Sequence, residues 1–334
     1  MRAAVHERYG PPEVVTIREV EPPTVGAGDV LVRIHSAAVT AADSRIRAAR
    51  FPRGFGPFAR LAFGVRRPRR PVLGSCLSGV VEAVGKNVTA FAVGDEVCGM
   101  AGTRMGAHAE LASVPAGRLV AKPDQVSHDE AAGVLFGGTT AWHFLRVKSA
   151  VKEKDRVLVV GASGAVGSNA VQLAAIAGAR VTAVTSGRNA DLARDLGASE
   201  VVDYTTTDLI ALTDRFDIVV DTIGTLTART GRPLLAPGGA LLLIAADLRG
   251  TVTARGNVRA GVAAERTEDM TALLGLVEAG TLRVVLDEVL PLDDIAEAYR
   301  RVDSGHKVGN VIIRPQGGPD PAVTPPAEKE DRIS

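Results

Sequence analysis

The chain is short of cysteine: Cys76 and Cys98 are the only two among 334 residues. Two thiols cannot build a disulfide framework or a four-thiolate zinc site, so the expected setting is a reducing compartment. Excess charge is also lacking. There are 39 basic and 38 acidic residues, a formal net charge of +1. A balance of that kind does not call for nucleic acid or an anionic membrane as partner. Long apolar runs are missing too. No stretch reaches the ~18 consecutive apolar residues of a spanning helix. The opening MRAAVHERYGPPEVV holds no apolar run of signal-peptide length. These absences predict a soluble, cytoplasmic protein. What is plentiful is apolar: 46% of residues are hydrophobic, ample for packed cores. The length suggests about two domains at ~150 residues each.

Residues 1–125 read as β-rich, with short apolar runs separated by Gly, Pro and Asp. Residues 86–98, KNVTAFAVGDEVC, predict a strand, a Gly-Asp turn and a second strand. Ser127 with Glu130 three residues later forms a capping-box signature at the start of a helix. From 157 the pattern alternates. Strands are expected at 157–160, 181–185, 200–202, 217–221 and 240–245, and helices at 164–177, 189–196 and near 226–235. That order argues for a parallel sheet covered on both faces. A helix over 267–279, a strand near 282–286, a helix over 292–303 and a last strand in NVIIRP follow. The tail from 317 to 334, rich in Pro, Gly, Ala and charge, is expected to be disordered.

The run VLVVGASGAVGSNAVQLA, residues 157–174, puts a loop of tiny residues between a strand and a helix. Glycine at 161, 164 and 167 allows close backbone approach, and the helix start offers free N–H groups and a positive dipole end. Together these suit a pyrophosphate, carried by Gly161, Gly164, Ala165, Val166 and Gly167. The alternative is a plain glycine-rich turn. The second strand ends VTAVTSGRN, with no acid to accept from a ribose 2′-OH. Ser186 can hydrogen-bond a 2′-phosphate and Arg188 can pair with it, which favours NADP(H). The alternative is a solvated surface arginine. Residues 51–70 carry five arginines between 60 and 70. They read as a solvated lid, with Phe51, Phe55 and Phe58 lining an acceptor pocket.

Taken with GGTTAW upstream and LGASEVVDY downstream, the 157–174 run resembles the medium-chain dehydrogenase/reductase superfamily. It is most similar to the zinc-free quinone oxidoreductase-like branch. HSAAVTAADSRIR, VLGSCLSGVVEAVG, VTAFAVGDEVCG, GAHAEL and LDDIAEAYRRVDSGHKVGNVII match landmarks of that branch in order, from about residue 1 to 314. The resemblance implies an α/β protein with a Rossmann doubly wound parallel sheet inserted in a GroES-like β-rich catalytic domain. Residues 1–125 and 266–316 would form the catalytic domain and 126–265 the NADP(H)-binding domain. A homodimer is also implied.

The resemblance further implies roles for single residues. Thr139 and Asn310 match positions near the cofactor, and Tyr204 matches a tyrosine that contacts it. Thr40 stands where the family usually shows Asn, which weakens a catalytic role for it, and it and Asp43 fall in the catalytic motif, where the alternative for Asp43 is a structural role rather than proton donation. Cys76 would lie near the cleft. Zinc-dependent relatives have Gly-His-Glu where this chain has Gly74-Ser75-Cys76, so no metal is expected. Without a Lewis acid, hydride transfer from NADPH to a quinone, an enone or a related carbonyl is the leading expectation. The alternatives are an NADP-dependent alcohol or aldehyde dehydrogenase, an enoyl reductase for carrier-bound substrates, and an NADPH-binding sensor with little turnover.

Overall fold

Two large sheets, beside a separate two-stranded one made by the first two strands, organise the computed structural model, which describes residues 1–316. The first half of the chain supplies β1 (Arg2–His6), β2 (Val15–Glu19), β3 (Asp29–Val39), α1 (Ala41–Ala48), α2 (Gly56–Phe63), β4 (Cys76–Val84), β5 (Glu96–Met100), β6 (Leu111–Pro115) and β7 (Leu119–Ala121). α3 (His128–Trp142) leads out of this region and starts at the Ser127–Glu130 capping box that the sequence predicts. β3 carries Val30, Val32, Ile34 and Ala37 buried, and pairs antiparallel with β4.

The second sheet uses β8 (Arg156–Val160), β9 (Arg180–Thr185), β10 (Glu200–Asp203), β11 (Phe216–Asp221), β12 (Leu235–Leu243) and β13 (Val258–Ala260). All its pairings are parallel, in the order β10-β9-β8-β11-β12-β13. α4 (Ala165–Ile176) and α5 (Ala190–Asp195) follow β8 and β9, and the short α6 (Ala228–Gly231) and α7 (Leu248–Val252) follow β11 and β12. Val157, Leu158, Val159 and Val160 are all buried, as a central strand covered on both faces requires. The strand order reverses between β8 and β11, and such a switch point opens a crevice at the carboxyl ends of the strands.

The end of the chain returns to the first sheet. After α8 (Thr267–Glu278), β14 (Leu286–Pro291) pairs with β15 (Asn310–Arg314), and β15 pairs antiparallel with the Ala37–Val39 part of β3. α9 (Ile295–Asp303) lies between them in sequence. The first sheet is therefore built from both ends of the chain and the second from its middle.

Four local expectations need correction. Residues 86–95 form no strand; Gly94 has φ +96° and Asp95 Oδ2 accepts the Ala92 amide at 2.8 Å, so the segment turns before β5. The expected helix near 226–235 is only α6 followed by a 3₁₀ turn over Arg232–Leu234, because Pro233 supplies no N–H to continue it. The strand near 282–286 begins later: Leu282 and Val284 are buried in the core, and pairing with β15 starts at Leu286↔Asn310. Within the arginine-rich 51–70 segment, residues 56–63 are helical. The tail 317–334 lies outside the described residues.

Candidate functional site

The loop between β8 and α4 is shaped by its glycines. Gly161 has φ +80°, and a β-carbon there would lie 2.6 Å from Thr222 Oγ1 and from Ile223 Cγ2. A β-carbon at Gly167 would lie 2.0 Å from the Gly161 carbonyl oxygen. The helix can sit this close to its loop only because that side chain is missing. Gly164 is the N-cap of α4 and no side chain caps the helix. The first-turn amides therefore face the crevice without a side-chain partner, a fitting cradle for phosphate. GGTTAW serves the same approach: a β-carbon at Gly137 would lie 2.2 Å from the Ala165 carbonyl oxygen, so α3 can press against α4.

The chain's last turn closes over this loop. Gly309 N donates to the Ser163 carbonyl at 2.8 Å, and Gly164 and Gly309 form an isolated parallel bridge. A cavity of about 520 Å³ results, lined by Thr40, Phe136, Ala165, Val166, Lys307 and Asn310 among others. Residues from both sheets thus meet there. Asn310 is held by its Nδ2, which donates to the Val285 carbonyl at 3.0 Å. Lys307 Nζ donates to the Gly309 carbonyl. Burial of that amine lowers its pKa to about 8, against an upward pull from Asp287. Sequence reasoning missed Lys307, because no local pattern separates it from an ordinary loop lysine.

Three predicted cofactor residues gather at the ends of β9 and β10. Ser186 follows β9 and is buried, whereas Arg188 is exposed and makes no contact with a carboxylate among the described residues. Tyr204 is half exposed, and its amide donates to the Thr185 carbonyl at 3.2 Å. An acid does approach from the neighbouring strand. Asp203 lies beside Gly187, but its Oδ1 accepts both the Thr205 amide and hydroxyl, at 2.9 and 2.8 Å. Those bonds, with the Gly187 amide, hold its carboxyl below the usual range.

The predicted catalytic residues are spent inside the fold. Thr40 lines the cavity, but it is the N-cap of α1. Its hydroxyl donates to Asp43 Oδ2 at 2.5 Å and accepts the Asp43 amide at 3.2 Å. Asp43 is fully buried; it also takes the Thr40 amide at 2.9 Å and the Gly74 amide at 3.2 Å. It is a capping-box carboxylate, not an acid facing substrate. Thr139 is buried and donates to the Leu135 carbonyl at 2.6 Å, one helical turn back, and it is not among the residues that line this cavity. Cys76 is sealed, touching the Ser75 hydroxyl, and burial pushes its thiol well up; it does not line the cleft. Phe51 stacks on Phe63 at 6.1 Å against the first core, Phe58 is 65% exposed, and neither they nor Phe55 line either cavity.

A second cavity, of about 600 Å³, opens between Pro52–Arg53 and the segments that follow β11 and β12.

Residues 26–124 match a family model described as the alcohol dehydrogenase GroES-like domain, and residues 196–313 one described as zinc-binding dehydrogenase. The chain is 30% identical over 331 residues to a quinone oxidoreductase of Pseudomonas aeruginosa, covering 92% of this chain and 97% of the relative. It is 30% identical over 354 residues to a mitochondrial NAD(P)H oxidoreductase of Danio rerio, covering 94% and 91%. A solved quinone oxidoreductase from Coxiella burnetii shares the fold with a TM-score of 0.84 at 24% identity, over 94% of this chain and 99% of its own. Among the described residues no three His, Cys, Asp or Glu side chains are grouped to hold a metal ion. Among them, too, no helix is long and apolar enough to cross a membrane.

Proposed function

We propose that this chain, which belongs to the medium-chain dehydrogenase/reductase superfamily in its quinone oxidoreductase-like branch, is an NADPH-dependent reductase of a quinone, an enone or a related carbonyl. That it is an NAD(P)H oxidoreductase is the coarser part of this statement; the preference for NADPH and the acceptor class are the proposal. One observation carries it: the uncapped start of α4 over a glycine cradle, with the exposed, unpaired Arg188 at the end of β9. The first-turn amides and the dipole of α4 receive the pyrophosphate. Arg188 and Ser186 receive the 2′-phosphate; β9 itself carries no acid, and the neighbouring Asp203 on β10 has its Oδ1 tied to Thr205.

When bound, a reduced nicotinamide supplies the hydride. Thr40 cannot donate a further hydrogen bond, because Asp43 accepts its only hydroxyl proton. Lys307 Nζ holds a proton for most of the population at pH 7 and places positive charge at the cavity, where oxyanion charge develops on the acceptor.

A second reading, cofactor binding with little turnover, draws on the same commitment of Thr40 and Asp43 to a helix cap. NADPH oxidation with a quinone, an enone and an aldehyde, run beside NADH, decides between them. We expect turnover with quinone or enone, faster with NADPH. The Arg188→Gln variant should lower the NADPH-to-NADH preference about tenfold, the size of one lost charge-assisted contact. Tight NADPH binding without turnover would favour the second reading, and a preference for NADH would overturn the phosphate site. The homodimer remains part of the proposal and is read by light scattering.

A further inference from the structure

The second cavity holds charge that hydride transfer to a neutral quinone does not need. Arg53, Arg229 and Arg249 line it, each from a different segment: the loop before α2, α6 and α7. All three are exposed, and among the described residues none of their guanidinium groups meets a carboxylate. The one acid on the wall, Asp247, is engaged, since its Oδ1 accepts the Gly250 amide at 2.6 Å and caps α7. In the cavity beside it Arg50 pairs with Asp303 at 3.0 Å. Two of the three arginine-bearing segments are fixed to one another by backbone. Leu248 N donates to the Arg53 carbonyl at 2.9 Å, and a β-carbon at Gly54 would lie 2.7 Å from Leu248 Cβ. The loop before α2 is therefore clamped against α7, with Arg53 and Arg249 on one wall.

The two cavities share the turn after β11: Thr222 and Ile223 line the first, and Gly224 lines the second. A cleft in which three arginines face a single carboxylate keeps a net positive field, and arginine forks match carboxylate and phosphate oxygens in pairs.

We infer that this cavity is an anion subsite for the acceptor, which carries a carboxylate or phosphate group held by Arg53, Arg229 and Arg249. The word acceptor rests on the oxidoreductase reading, but the binding of an anion does not.

The test uses the full chain saturated with NADP⁺. The probes are 4-oxopent-2-enoic acid, its methyl ester and inorganic phosphate, with binding read by calorimetry and turnover read with NADPH. The acid is expected to bind about tenfold more tightly than the ester, or better, as charge-assisted hydrogen bonds require. In the R229Q/R249Q variant the preference for acid over ester, in affinity and in kcat/KM, should fall by about the same factor. Its melting temperature should stay close to that of the parent, since both side chains are exposed. Phosphate that competes with the acid, and binds more tightly than it, would identify the group as phosphoryl. Equal binding of acid and ester would overturn the subsite while leaving the reductase reading intact if the ester turns over. Weakened NADP⁺ binding with an unchanged acid-to-ester ratio would overturn it as well, by assigning the arginines to the cofactor. Arginine-dependent binding of the acid with no turnover of any probe would uphold the subsite and sink the reductase reading.

Discussion

Thr40–Asp43 and Ser127–Glu130 close the same hydrogen-bonded ring at two helix starts. In each, a hydroxyl accepts the amide three residues on, and the carboxylate there reaches back to the cap residue's amide. Their surroundings differ. Ser127 and Glu130 are only half-buried, and their bonds stay within the ring. Asp43 is fully buried and its second oxygen takes the Gly74 amide from a distant segment. One ring finishes a helix, whereas the other also pins α1 to the strand entry that leads into β4. The contrast teaches that burial and one extra long-range bond, rather than the motif, decide how much depends on a cap.

Asp43→Ala should break the comparison most visibly. It strands three buried donors, from the Thr40 amide, the Thr40 hydroxyl and the Gly74 amide, at a cost of about 3 kcal/mol or more. Chemical denaturation measures it; a variant as stable as the parent but unable to turn over would return Asp43 to a catalytic role. The second test asks whether chemistry at the cavity belongs to Thr40 or to its neighbour Lys307. With a pKa of about 8, Nζ loses its proton above that pH, so turnover should fall about tenfold per pH unit there, and Lys307→Gln should flatten the profile. The same group gives a sign for stability. The folded pKa lies below the ordinary 10.5, so the unfolded chain binds more protons between the two values. Stability should therefore rise as pH climbs from about 8 toward 10.5, and the variant should lose that slope. Ser127→Ala is the mildest change, about 1 kcal/mol, with kinetic constants unmoved. A loss as large as that of Asp43→Ala would erase the distinction between the rings.

What the sequence made legible follows range along the chain. The Ser127–Glu130 cap, the Val-Leu-Val-Val strand and the glycine cradle are set by residues within a few positions, and each lies where its pattern places it. Thr40–Asp43 has the same spacing as the other cap, and the spacing alone does not separate a cap from a catalytic motif. Thr139 and Cys76 are ambiguous in the same way: one hydroxyl serves a carbonyl a turn back and the thiol is sealed. The arginine cavity was invisible for a different reason. Arg53, Arg229 and Arg249 come from separate segments and line one cavity, with the loop before α2 hydrogen-bonded to the start of α7.

The pairing of β15 with β3 also sets an order of assembly. As the chain is synthesised, β8 to β13 are available before Asn310–Arg314 has been made. Until then the Ala37–Val39 half of β3 waits with an open row of amides and carbonyls and buried-type side chains uncovered. The parallel sheet can close before Asn310–Arg314 is made, but the first sheet must wait for it. Arrival of that strand is thus the step that completes the half of the molecule made first, and the interval before it is when the chain is most open to association with its neighbours.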